Sequence, residues 1–212
     1  MSQEHRRQVD SEGAVGFRSD FISKVPKPDA ILNELNQNVA HLFKKNGERP
    51  NIKHATAIQN FLFGIKIGAE MNQIDDAEYP DLVLYSDPSY SLASQADVGI
   101  ILNVALLVEQ LKGNGNWIEE KKGGQFIYKG NIDNYFILAG VEEASHVKYE
   151  EQDPMGAGLH PKTTSLAEYD AQPHEYIALQ QKLEVAERLM MHADTIDVIR
   201  LRIENARQSS SK

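Results

Sequence analysis

The sequence predicts an α+β domain, mostly helical, in which a small β-sheet or hairpin packs on one central helix. Three observations point to this class. Apolar residues recur at helical spacing over four stretches, about 30–45, 52–73, 172–191 and 194–207. Two stretches have strand and turn grammar: Leu82 to Tyr85 before Ser-Asp-Pro, and Trp117-Ile118 with Gln125 to Lys129 across Glu-Glu-Lys-Lys-Gly-Gly. Between that hairpin and the last two helices, Asn131 to Glu151 reads as one long helix with Glu142, Glu143 and His146 midway along an apolar segment.

A chain of 212 residues fits one domain with extended ends: a flexible lead-in over 1–27, a single domain over 28–208 and a tail over 209–212. The net charge of −9 argues against nucleic acid as a partner, because phosphate contacts need clustered Lys and Arg. Arg6-Arg7, Lys44-Lys45 and Lys121-Lys122 are too short to form a patch. No cysteine occurs, which excludes disulfides, thiolate ligands and thiol nucleophiles. The polar N-terminus has no signal-peptide core, and no apolar run approaches about 18 residues. A soluble cytoplasmic protein without a membrane partner is the expectation, with the oligomeric state open.

Taken in order, Phe17 and Phe21 are the lead-in residues able to dock on the body. Asp29 is the expected N-cap of the first helix, whose stripe is Ile31, Leu32, Leu35, Val39, Leu42 and Phe43, closed by Gly47 and Pro50. The second helix has the stripe Ile58, Phe61, Leu62, Ile65 and Ala69; Gly64 and Gly68 lower its propensity but permit close packing. His41 and His54 on these helices read as surface or packing residues. After the Leu82–Tyr85 strand, Ser94 or Asp97 is expected to cap a buried helix through about Leu111, with a strand reading open for part of the run. Gly113-Asn-Gly115-Asn ends it, and Glu119-Glu120 fall in the hairpin turn. Beyond Glu151, Pro154, Gly156, Gly158 and Pro161 mark a loop suited to a lid or specificity segment. Pro173 lies in the first turn of the next helix, with the stripe Ile177, Ala178, Val185 and Leu189. The last helix carries Ile196, Ile199 and Ile203 on one side.

Glu142 and His146 are four apart and share a helical face, and Glu143 and His146 are three apart. This is the spacing of H-E-x-x-H, the zinc-binding helix of metallopeptidases, with Glu142 at the first His position. That chemistry needs two ligands one turn apart, a carboxylate beside the first to take a proton from water, and a third ligand from a later helix. The succession of hairpin, E-E-x-x-H helix, Gly/Pro-rich loop and Tyr169-Asp-Ala-Gln-Pro-His-Glu175-Tyr-Ile-Ala178 resembles the compact bacterial zincin-like (gluzincin-type) metallopeptidases over roughly 80–190. The resemblance implies a zincin-like fold, with Glu142, His146 and Glu175 as metal ligands and Glu143 as general base. The implied cofactor is a divalent ion, zinc first, with manganese or iron as alternatives for one His with two carboxylates. Glu142 in place of a neutral imidazole adds negative charge and weakens the ion's power to acidify water, so peptide hydrolysis is expected to be weakened or lost.

His160, His174 and Tyr169 are accessory candidates. Either His is an alternative third ligand or an oxyanion donor; Tyr169 and Tyr176 are further donors, and each also has a plain loop, solvent or packing reading. Against the metal stands an ordinary solvated helix face, with His146 satisfied by Glu142 or Glu150. Two other classes compete. A non-catalytic module for a peptide or protein partner would keep the fold without metal, and a ferritin-like bundle would hold two ions. The bundle needs a second Glu-x-x-His, and Glu143-Ala-Ser-His146 is the one such motif in the chain. No G-x-S-x-G elbow, Walker A loop or dinucleotide-binding glycine motif occurs.

Overall fold

The computed structural model describes residues 15–17, 24–75, 79, 81–87, 93–96, 99–112, 116–121, 124–129, 132–152, 163 and 165–210. The predicted α+β, mostly helical class holds. In chain order the elements are β1 (Val15–Phe17), α1 (Pro28–Glu34), a π-helical turn (Leu35–Val39), α2 (Ala40–Lys45), α3 (Ile52–Met71), β2 (Leu82–Tyr85), β3 (Ala93–Ala96) and β4 (Gly99–Asn103). They continue with α4 (Val104–Lys112), β5 (Asn116–Lys121), β6 (Gly124–Lys129), α5 (Ile132–Gln152), α6 (Leu166–Asp170), α7 (Pro173–Arg188) and α8 (Ala193–Ser210). None of the described helices is long and apolar enough to cross a membrane.

The four-stranded sheet has the order β1-β2-β4-β3. β2 and β4 are parallel, with Leu82 opposite Ile100, and β1 and β3 flank them antiparallel. The stretch expected to lead flexibly into the domain thus supplies an edge strand, and Phe17 is buried in the core; Phe21 lies outside the described residues. β5 and β6 form the predicted hairpin as a separate two-stranded sheet. Glu119 and Glu120 belong to β5 rather than to the turn, because the register continues to Lys121 opposite Gly124.

Two further expectations give way. α1 starts at Pro28 with Lys27 as N-cap, not Asp29, since proline's fixed φ suits the first helical position. The apolar run after Ser94 is not one helix. Ala93–Ala96 form β3 and Gly99–Asn103 form β4, and a helix begins only at Val104; Asp97, the alternative cap, lies outside the described residues. Asn103 makes the division: its side-chain oxygen accepts from the Ala105 backbone N–H at 3.1 Å, and its amide donates to the Asp87 carbonyl at 2.6 Å. Gly99, at φ +119, enters β4 where a Cβ would collide with the Asp81 carbonyl oxygen.

α5 is the central helix. Phe136, Ala144 and Val147 join the larger core, formed with α1 to α4 and the sheet; Ile137, Leu138 and Val141 join a second core with α7 and α8. The stripe predicted for α3 is fully buried, and its glycines set the approach of α5. A Cβ on Gly64 would overlap the Ile137 carbonyl oxygen, one on Gly140 would overlap that of Phe61, and one on Gly68 would lie 2.7 Å from the Ala144 Cβ. β3 and β5 also lie against α5.

His41 is exposed and His54 is buried, its ring 4.8 Å from that of Phe43. Burial pushes the His54 imidazole below its ordinary value of 6.5, with the Glu48 carboxylate acting the other way.

Two predictions follow from packing and burial. Gly64→Ala or Gly140→Ala is expected to lower stability by about 1–3 kcal/mol in urea denaturation, because backbone cannot yield to the added methyl; unchanged midpoints refute the contact. With its value depressed in the folded state, His54 contributes stability that is present above 6.5 and lost as pH falls through the lower folded value. His54→Gln is therefore expected to flatten the decline in urea midpoint between about pH 7 and pH 5, and equal slopes in both proteins contradict it.

Candidate metal centre

α7 packs beside α5 with opposite chain direction, so ascending residues on one meet descending residues on the other. His146 Nε2 lies 3.8 Å from Glu175 Oε1, and Glu142 Oε2 lies 2.6 Å from Lys182 Nζ. Between these contacts the Ser145 hydroxyl bonds Gln181 Oε1, and Gln181 exchanges two amide hydrogen bonds with Asn72 at 2.8 and 3.0 Å. Asn72 ends α3. A polar seam thereby ties three helices in register around the cluster.

Glu175 is the third residue of α7 and is 3% exposed. The helix starts there because Pro173 occupies the first position, and the positive end of the helix dipole in that first turn favours a carboxylate. Tyr169 donates a hydrogen bond to Glu175 Oε1, and His174 Nε2 lies 3.6 Å from the same oxygen. The His174 ring sits edge-on to that of His146, centroids 5.4 Å apart, and 5.3 Å from that of Tyr149. Tyr169 comes from α6, a helix the sequence reading lacked. Ser165 caps it, its hydroxyl oxygen accepting from the Glu168 N–H at 3.2 Å. Asp170, the next residue, makes a two-pronged pair with Arg202 of α8 at 2.8 and 2.9 Å, both side chains being 1% exposed.

Glu142, His146 and Glu175 thus come together: one donor atom from each lies within 4.8 Å of the other two. The arrangement is not a fully solvated helix face, since Glu143 is 7% exposed and the Glu142 and His146 side chains are only partly exposed, at 13% and 16%. Glu143 is buried on α5 one residue beyond Glu142 and is not one of the three converging donors. His174 flanks the cluster through Glu175; Tyr169 holds Glu175. His160 lies outside the described residues, as does nearly all of the proposed lid between α5 and α6.

The donor chemistry fits a divalent ion. Two carboxylates and an imidazole converge, with His146 Nε2 toward Glu175, and among the described residues His146 Nδ1 is buried without a hydrogen bond, a polar atom of the kind an ion or water satisfies. Ligands about 2.1 Å from zinc stand roughly 3.4 Å apart at tetrahedral angles, so the set must contract by about an ångström to grip one.

The sequence reading missed Lys182 and Asp170 with Arg202. It placed Ile177 and Leu189 on the buried face of α7, yet they are 40% and 37% exposed. The buried face runs through Glu175, Ala178, Leu179, Lys182, Val185 and Ala186. Two charged residues occupy core positions there because each meets a partner from α5, and a hydropathy stripe passes over them. The available signal was the seven-residue step from Glu175 to Lys182, two turns along one face.

Replacing Arg202 by Met is expected to cost about 3–5 kcal/mol in urea denaturation by stranding the Asp170 carboxylate, and Asp170→Leu with Arg202→Met to recover much of it. A single variant as stable as the wild type contradicts the buried pair. Comparison with known protein families, curated proteins and solved structures found no match.

Proposed function

We propose that this chain is a zincin-like, metallopeptidase-related protein in which Glu142, His146 and Glu175 hold a divalent metal ion, zinc ahead of manganese or iron. The observation carrying this reading is the approach of those three donors, from two helices, to within 4.8 Å of one another. A divalent ion held there supplies Lewis acidity toward a peptide carbonyl and toward water. Glu143, beside the first ligand, is the carboxylate positioned by sequence to take a proton from that water and pass it to the departing amine. Tyr169 orients Glu175 by its hydrogen bond, which commits that hydroxyl to the ligand rather than to an oxyanion. His174 lies close enough to Glu175 to serve beside it. The extra carboxylate at position 142 places hydrolysis below that of a two-His centre, with a peptide or protein as substrate.

The Lys182 contact favours one further reading: a non-catalytic interaction module that keeps the fold, with the ammonium neutralising Glu142 in the metal's stead.

Elemental analysis of protein purified without a His tag separates the two. After equilibration with excess zinc or manganese, about one equivalent of bound metal, lost in folded His146→Ala and Glu175→Ala variants, supports the metal centre; a wild type that stays metal-free under excess metal refutes it. Glu143→Gln is expected to retain the metal and abolish any peptide hydrolysis, so a variant as active as wild type removes Glu143 from the role of base.

A further inference from the structure

Lys182 is 2% exposed, and its ammonium lies 2.6 Å from a carboxylate oxygen of Glu142. A lysine this deep is tolerated only with a partner, because an isolated buried charge is far too costly. Glu142 is that partner, and it is also one of the three residues converging as metal donors. The antiparallel run of α5 against α7 makes the double use unavoidable. Glu175 and Lys182 lie two turns apart on one face, so the helix that presents a third ligand to His146 presents a cation to Glu142.

We propose that Lys182 is a resident cation of this centre: its ammonium competes with a divalent metal for Glu142 and holds metal affinity below what the three donors would otherwise give. The inference rests on reading Glu142, His146 and Glu175 as a cation-binding set. The two carboxylates offer two negative charges, and Lys182 already answers one of them. A divalent ion entering the set meets a fixed like charge on the same carboxylate, and it must loosen the Glu142–Lys182 contact to bind. Lys182 thereby sets a threshold: the centre fills only where the metal is abundant enough to displace an internal competitor.

The test uses the full-length chain, untagged and stripped of metal, titrated with zinc and separately with manganese by calorimetry. Lys182→Met, similar in volume and without charge, is expected to bind at least about tenfold more tightly than wild type, since unit charges at such separations interact strongly even under heavy screening. Lys182→Arg keeps the charge and is expected to stay within about threefold of wild type. Adding His146→Ala to Lys182→Met must abolish the gain if the ion sits at this centre. Should Lys182→Met lose its cooperative melt, Lys182→Gln, which keeps a hydrogen-bond donor toward Glu142, takes its place. Wild type and Lys182→Met binding equally, or the variant binding more weakly, overturns the competitor role and leaves the metal centre standing. Binding by Lys182→Met alone supports the competitor and refutes a wild-type metal protein. No binding by either overturns both.

Discussion

Backbone contact between α3 and α5 is the constraint on which the remaining architecture depends. Gly64 meets the Ile137 carbonyl, and Gly140 meets that of Phe61, leaving no room for even a methyl group. Contact this close fixes the rotation of α5 as well as its distance, because only the glycine faces can come together. With the rotation fixed, the rest of the helix surface is allotted. Phe136, Ala144 and Val147 go to the larger core, and Ile137, Leu138 and Val141 go to the smaller one. Glu142 and His146 are left to meet α7. The polar cluster is thus placed by helix packing some distance from itself.

The two buried ion pairs serve different ends. Asp170 and Arg202 are closed to solvent and matched through two hydrogen bonds, the geometry in which a guanidinium and a carboxylate best compensate their lost hydration. They tie α6 to α8 and so hold Tyr169, the neighbour of Asp170, against Glu175. Glu142 and Lys182 meet through one hydrogen bond at 2.6 Å, where Asp170 and Arg202 meet through two. One pair holds the scaffold; the other lies within the chemistry.

Much of the fold was legible in the sequence where pattern and physics coincide. α3, β2, α5, the hairpin and the proline-started α7 all stand close to where apolar spacing, turn residues and Pro173 place them. The meeting of Glu142 with His146 was legible too, because a four-residue step puts both on one helical face, whereas Glu175 was reached only through the family resemblance. What failed to show was any element whose burial rests on charge. Lys182 and Arg202 lie on inward faces because Glu142 and Asp170 await them, and hydropathy assigns lysine and arginine outward. The division of the run through Asn103 was hidden for a related reason. One side chain bonded to Asp87 and Ala105 converts an apolar stretch from strand to helix, and both partners are chosen by tertiary structure.

The widened turn at Leu35–Val39 has a consequence of its own. Ile31, Leu35 and Val39 are spaced by four and four, outrunning an ordinary helix of 3.6 residues per turn, and the broader coil brings all three to the same core. Such a bulge is one surplus residue folded into a helix whose two ends keep their places. Shortening the chain by one at this point would restore the usual pitch on either side, so a one-residue deletion is better accommodated here than in the regular helices beside it.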